Sequence, residues 1–511
     1  MHLPRRLTAM GALAAAVLIV RCARGAATEA GYVESPSPSP PPSTSPSRDH
    51  SAFIAAVDAL AAEALPRGPI AGLSIAVFEH GNAVLAKGYG YADLEAGIAA
   101  TADTSYPIAS VTKHFTAAAV QRLADQGRLS LDDPLSRFFP AARPRIGALT
   151  IRHLLDHTSG LTRGGPAPRT AAVSVIRRGG TARAQGADWD YSNYNFSLLG
   201  LVIEQASGRD YARYVHEELA VPLGLTATGY CEDGSALPGR TRDYQSGVRT
   251  VSPTSYWMEA RFFAAGGLCS SVLDLVRWEK ALEDGRVLSP AMLQAMRTPA
   301  RLPDGLEADY GYGTRLGLTG RHRKLGHTGG GLSNKAVVAR YPDDDVTVAV
   351  LLNTERTNAP VTATDLEEQI ERLFFDLPEP SPSSASVPEP ALHRYAGQYR
   401  DGSRLVRFAT EGGSLTVHPG LGRRPVSRLM PGGGDLFLDA EEPSIELRFQ
   451  MRDDRAHGYG RYHNGWFVGL GVRSADHPRR AELTNASENR RTAHRRWNRR
   501  SRAPRNARQG A

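Results

Sequence analysis

The chain has 511 residues, of which 41% are hydrophobic, 22% charged and 7% aromatic. Long apolar-periodic segments in its middle exclude a disordered chain, and no run approaches the ~20 apolar residues that span a bilayer, which excludes a polytopic membrane protein. The formal charge of +8 sits at one end: residues 474–511 hold eleven Arg against Asp476, Glu482 and Glu488, and eleven minus three leaves the remainder formally neutral.

Residues 1–27 read as an export signal. Arg5 and Arg6 open it, Ala9 to Val20 form its apolar run, and Ala23, Gly25, Ala26 and Ala27 offer small residues for cleavage. Cys22 stands where a lipoprotein carries its lipid, but Arg21 occupies the preceding position, which normally takes a small residue. A Pro/Ser-rich linker over 28–49 follows, extended by its composition.

A body over 50–376 comes next. Ala52 to Leu65 is helix-like. Leu73, Ile75 and Val77 alternate as in a strand, His80-Gly81-Asn82 turns, and Ala83 to Tyr89 returns as a hairpin. Helical spacing then dominates, through Phe115, Ala119 and Leu123, then Ile151 and Leu155, then Leu198, Val202 and Ile203. Strand patterns come back at Tyr312–Leu318, Lys324–His327, Lys335–Tyr341 and Val346–Leu352, and a helix over Ala363–Phe375 closes the body. This order predicts an α+β fold: an antiparallel sheet flanked by helices, with an inserted helical subdomain.

A second linker spans 377–390. Residues 391–473 carry short strand-like runs between Gly, Pro and Asp turns, which predicts a small all-β barrel or sandwich. The basic tail over 474–511 suits an anionic polymer or lipid surface, or a solvated end without a partner, and nothing in it specifies nucleic acid. Outside the signal the cysteines are Cys231 and Cys269. An oxidising compartment favours a disulfide between them, two buried thiols being the alternative, and neither has a metal-ligand spacing.

Three segments carry residues suited to chemistry. Ser110-Val111-Thr112-Lys113 opens a helix, where Ser and Lys three apart share a face. A serine hydroxyl needs a base, and lysine serves only if burial or neighbours lower its pKa. The alternative is an N-cap serine with a surface lysine, but the chain has 56 Arg and only five Lys, so a Lys at this position stands out. Tyr191-Ser192-Asn193 precedes another helix and offers a phenol for proton relay and an amide for binding, or simply an aromatic packing residue and a cap. His327-Thr328-Gly329-Gly330-Gly331 ends a strand; its glycines admit a ligand to the strand edge, and a backbone N–H there suits an oxyanion hole.

Together the three segments resemble the serine β-lactamase and penicillin-binding-protein superfamily, in its class C β-lactamase, D-alanyl-D-alanine carboxypeptidase and esterase branch. Gly72–Tyr91, Tyr106–Gly127, Leu154–Leu161 and Ala264–Trp278 extend the likeness over about residues 50–376. The resemblance implies that Ser110 is acylated, that Lys113 accepts its proton with Tyr191 sharing the role, and that Tyr191 protonates the leaving group. It implies that Asn193 binds substrate and orients Lys113. His327 would bias Tyr191 and, with Thr328 and Gly329, bind the substrate, and the N–H groups of Ser110 and Gly330 would form the oxyanion hole. No metal or organic cofactor is implied. A typical β-lactamase has Lys where His327 stands, and the 391–473 segment resembles domains carried by peptidase-like members. Both features point to an exported serine hydrolase acting on D-amino-acid peptides or esters. The alternatives are a β-lactamase and a non-catalytic cell-wall binding protein.

Overall fold

The structure, a computed structural model, describes residues 49–474 except 68–69, 163–164, 166, 181–182, 232–238, 246–248, 251–261, 331–334, 356–360, 380–386, 403 and 421–423. The expected export signal with Cys22, nearly all of the first linker, the middle of the second and the basic tail lie outside the described residues.

Helix α1 (Ser51–Arg67) leads into strands β1 (Gly72–Glu79) and β2 (Asn82–Asp93). Their two-residue turn holds His80 at φ 49° and Gly81 at φ 76°, a pairing that asks for glycine and gives the hairpin its natural twist. Helices α2 (Thr112–Asp125), α3 (Asn193–Ser207) and α4 (Val272–Glu283) follow. Strands β3 (Arg315–Thr319), β4 (His322–Gly330), β5 (Lys335–Tyr341) and β6 (Val346–Leu352) and helix α5 (Ala363–Phe375) complete the body. The strands form one antiparallel sheet in the order β3-β4-β5-β6-β1-β2.

Alternation along the strands sorts the core into two layers. Val337, Ala339, Val348, Val350, Ile75 and Val77 pack against α1 and α5. Ala336, Val338, Ala349, Leu351 and Ala76 face the other layer, with Phe115 of α2, Phe196 and Val202 of α3 and Trp278 of α4. Covered on both sides, β6 is buried at every position, which explains its unbroken apolar sequence.

The C-terminal segment is a barrel, one of the two architectures the sequence left open. Its strands are β7 (Gly397–Asp401), β8 (Arg404–Glu411), β9 (Ser414–Pro419), β10 (Ser427–Gly433), β11 (Leu436–Asp439), β12 (Ile445–Arg452), β13 (Arg455–His463) and β14 (Trp466–Arg473). Each pairs with the next, and β7 pairs with β14 to close the ring. Tyr395, Tyr399, Phe408, Phe437, Phe449 and Tyr459 fill the interior with mostly edge-to-face contacts. Burying each such ring contributes about 1.5–3 kcal/mol. The barrel joins the body sheet where Trp466 of β14 pairs with Gly317 of β3. A Cβ on Gly317 would lie 2.2 Å from the Gly465 carbonyl oxygen, so only glycine allows this junction.

Candidate active site

Ser110 lies in a tight turn, Ala109–Val111, that runs into α2. Ala109 has φ 44°, a left-handed conformation costly for alanine, and Ile108 N–H donates to Leu268 O. Leu268–Ser270 is a short strand paired with Tyr106–Pro107 on one side and Gly229–Tyr230 on the other. Cys269 of that strand is disulfide-bonded to Cys231, the first of the two states open in the sequence. The bridge therefore braces the strand on which the Ser110 turn rests.

Lys113 is 0% exposed. Its Nζ lies 3.1 Å from Ser110 Oγ, 2.8 Å from Asn193 Oδ1 and 2.6 Å from Ala265 O. The Asn193 Nδ2 donates to Gly165 O at 3.2 Å, which turns the amide oxygen toward the lysine. Those two oxygens can only accept, so two N–H bonds are committed to them. The third direction faces Ser110: an ammonium donates to the hydroxyl there, and a neutral amine accepts from it. Burial pushes the Lys113 pKa below the ordinary lysine value, and the charge of Arg315 adds to this, against an opposing pull from Tyr191.

Tyr191 sits in the extended segment before α3. Its ring centroid is 5.0 Å from Lys113 Nζ and 5.2 Å from the Arg315 guanidinium. Among the described residues the hydroxyl makes no hydrogen bond of good geometry, although Ser110 and Lys113 bear on it. Burial pushes its pKa up, but the charges of Lys113 and Arg315 outweigh this and bring it below the ordinary tyrosine value. The His157 ring packs at a tilt against the Tyr191 ring, centroids 4.4 Å apart, and its Nδ1 accepts from Ser192 N–H at 3.2 Å and Asn195 Nδ2 at 3.0 Å. A single imidazole thus fixes the start of α3 beneath the tyrosine.

The third segment occupies the end of β4. Strand β3 pairs with β4 only as far as Gly326, so among the described residues His327–Gly330 has no strand partner on that side while β5 holds the other. A Cβ on Gly329 would stand 2.3 Å from Ile108 O, so glycine is what lets the Ser110 turn reach this strand. Thr328, Gly329 and Gly330 also line a cavity of about 210 Å³ with Lys335 and, from the barrel, His463 and Trp466.

His327, expected beside Tyr191 and the substrate, occupies a buried position of β4. It is 0% exposed, its Nδ1 donates to Thr328 O at 2.6 Å, and its Nε2 accepts from the Tyr310 hydroxyl at 3.1 Å. Burial first, then Arg315 and Lys113, hold its pKa well below the usual histidine value, so the ring is neutral. It lies 6.2 Å from the Tyr191 ring and presents no charge to it. Ser110, Tyr191, Asn193 and Thr328, by contrast, are each only half-buried.

Three residues of this site carry no expected role from the sequence. Arg315 was one arginine among many, Tyr310 stood outside every motif, and His157 lay within the quoted Leu154–Leu161 stretch without a function. The guanidinium of Arg315 lies 5.2 Å from the Tyr191 ring and, with Lys113, lowers its pKa.

A family model described as Beta-lactamase matches residues 55–373. The Bacillus subtilis (strain 168) protein PbpX is 30% identical over 242 residues, which cover 46% of this chain and 60% of that protein. Penicillin-binding protein 4* of the same organism is 27% identical over 430 residues, 76% of this chain and 92% of that one. Among solved structures, SurE with D-Leu superposes with a TM-score of 0.55 at 26% identity, covering 82% of this chain and all of that one.

Proposed function

We propose a substrate and a chemistry on a plain premise: this chain belongs to the β-lactamase family and is a serine hydrolase. The substrate is a D-amino-acid peptide, cleaved as a D-alanyl-D-alanine carboxypeptidase cleaves it, and esters of the same acyl group are accepted. The observation that carries the acyl-enzyme chemistry is the environment of Lys113. It is a buried amine 3.1 Å from Ser110 Oγ whose partners are a hydroxyl, an amide oxygen and a carbonyl oxygen, none of them a carboxylate.

The neutral Lys113 amine takes the Ser110 proton as Oγ attacks the substrate carbonyl. The oxygen of the tetrahedral intermediate is held by the N–H groups of Ser110 and Gly330. Asn193 keeps Lys113 aligned and, with Thr328 and the edge of β4 at Gly329, holds the substrate backbone. Tyr191, poised between two cations, passes a proton to the departing nitrogen or oxygen. The C–N or C–O bond then breaks and Ser110 carries the acyl group. Water attacks that ester, gives its proton to the same pair, and releases the acid with Ser110 restored.

Support for a D-peptide over a β-lactam comes from neutral His327, which supplies no fixed charge where a β-lactamase typically has Lys, and from the D-Leu held by SurE. Export is part of the reading, and the Cys231–Cys269 bridge supports it. The basic tail, read as a contact for anionic polymer or lipid, remains part of the proposal. The test is a profile of wild type and Ser110→Ala on a D-Ala-D-Ala peptide, a p-nitrophenyl ester and a cephalosporin. The expected result is turnover of the first two that falls at least about 10³-fold in the variant. Fast turnover of the cephalosporin alone would make the chain a β-lactamase. Peptide binding with no turnover at all would make it a binding protein.

A further inference from the structure

The barrel interior is filled by aromatic side chains, so what it offers the rest of the molecule lies on its wall. That wall is continuous with the core beneath the candidate active site. Tyr462, Phe467, Leu470 and Val472 of the barrel share one apolar cluster with Trp189 and Tyr310, and Tyr191 packs against it. Phe467 meets Trp189 edge-on at 4.9 Å, and Trp189 lies 6.4 Å from Tyr191.

Polar contacts follow the same route. Arg315 Nη1 donates to the Phe467 carbonyl oxygen, which holds the guanidinium beside the Tyr191 and Tyr310 rings. Arg400 of β7 lies 2.9 Å from Asp188 Oδ2, an oxygen that Arg183 also approaches at 3.1 Å. Arg183 in turn donates to Gly402 O of the barrel at 2.5 Å. Asp188 is 1% exposed and stands three residues before Tyr191. Tyr462 of β13 donates to Asp309, the residue before Tyr310. The barrel thus grips both flanks of the tyrosine: the 183–191 segment that delivers it and the strand that carries its cation.

We infer that the C-terminal barrel is a working part of the active site, in which Arg400 and the Phe467 backbone and ring are positioning elements that hold Tyr191 and Arg315 in register. Neither residue meets the reacting atoms; each acts through a neighbour. The inference rests on the serine-hydrolase reading for its kinetic readout. The groups that face Tyr191 are Lys113 and Ser110 from the α2 end, Arg315 from β3, His327 from β4, and Tyr310 and His157 from the adjoining loops. Of these, Arg315 is the one whose place is set by the barrel. If it drifts, Lys113 and Tyr191 both lose a charge that lowers their pKa, and the activity profile moves toward higher pH.

The experiment uses the full chain with Arg400→Gln, Arg400→Lys and Phe467→Ala, measuring kcat, KM, the pH profile on the p-nitrophenyl ester, and thermal unfolding. Arg400→Gln and Phe467→Ala are expected to lower kcat by about 5-fold or more, to change KM by less than about 2-fold, and to shift the profile alkaline. Arg400→Lys is expected to recover most of the loss, because it keeps the charge on Asp188. A lower unfolding temperature with unchanged kcat and pH profile would reduce the barrel to a stabilising appendage and overturn the inference. Hydrogen exchange supplies a readout that needs no turnover. Protection of residues 188–193 should fall in both variants while α1 and α5 keep theirs, and unchanged protection would also overturn it. A wild type without Ser110-dependent activity but with that loss of protection would instead count against the proposed function alone.

Discussion

Lys113 is fully buried and its hydrogen-bond partners among the described residues are uncharged oxygens, so the charge it would carry has been removed from water with no carboxylate among those partners. Desolvation drives the amine toward its neutral form, the form able to accept a proton from Ser110. Arg315 acts on the pair from the other side. Its charge lowers the pKa of Tyr191 and of Lys113, and further depresses that of His327. Removing it raises all three in the folded protein, so a larger fraction of Lys113 is protonated and idle at neutral pH. Arg315→Met is therefore expected to displace the rising limb of the kcat/KM profile to higher pH and to cost about 10-fold or more at pH 7, read on the p-nitrophenyl ester. A profile that keeps its position would remove Arg315 from the electrostatics of the site. The sequence did not disclose this residue, because no motif surrounds it and its effect depends on a carbonyl 152 residues away. The Ser110, Lys113, Tyr191 and Asn193 set was legible, since each residue lies in a short motif whose chemistry is recognisable. His327 was legible as a strand-end residue and, as a histidine, a mostly uncharged one, but what holds it neutral was not. Its neutrality follows from burial and from Tyr310, whose own hydroxyl pKa burial raises well above the ordinary value, keeping it a donor.

At the scale of elements, the site is a meeting of a helix end and a strand edge. The Ser110 turn reaches β4 because position 329 has no side chain. Gly329→Ala places a methyl 2.3 Å from a backbone carbonyl that cannot swing aside, so the turn or the strand must move. The expected outcome is a loss of about 1–3 kcal/mol of stability, measured by denaturant unfolding, and a larger relative loss of acylation rate, because the displaced residue pair is the one beside the nucleophile. Full activity would show that the strand edge is dispensable. Helices and central strands matched their periodicity closely: Lys335–Tyr341, Val346–Leu352 and Ala363–Phe375 have the bounds the sequence indicates. The barrel strands Gly397–Asp401, Ser427–Gly433 and Arg455–His463 were not anticipated. The last reads RAHGYGRYH, polar and glycine-rich, yet it is mostly buried because its glycines admit neighbouring tyrosine rings: a Cβ on Gly460 would lie 2.9 Å from the Tyr462 ring, just as one on Gly471 of the facing strand would lie 2.0 Å from the Tyr459 ring.

Over the whole molecule, body and barrel are joined by more than a chain connection. Lys324 of β4 is buried against Glu367 and Glu371 of α5 and donates to the Asn464 carbonyl of the barrel at 2.8 Å. Trp466 Nε1 donates to Glu367 at 3.0 Å from the same side. This buried ionic node and the apolar cluster around Trp189 flank the β3–β14 junction. The sequence offered the barrel as a separate module after a linker; residues distant in sequence make it part of one core, which local patterning does not record. The central claim remains chemical, that Ser110 is acylated with Lys113 as its base. Its most direct test is intact-mass and peptide mass spectrometry of the folded protein after exposure to a fluorophosphonate, alongside Lys113→Met. The account predicts a single adduct on Ser110 in the wild type and labelling at least about 10²-fold slower in the variant. A folded wild type that takes no label, or takes it at another residue, would contradict it.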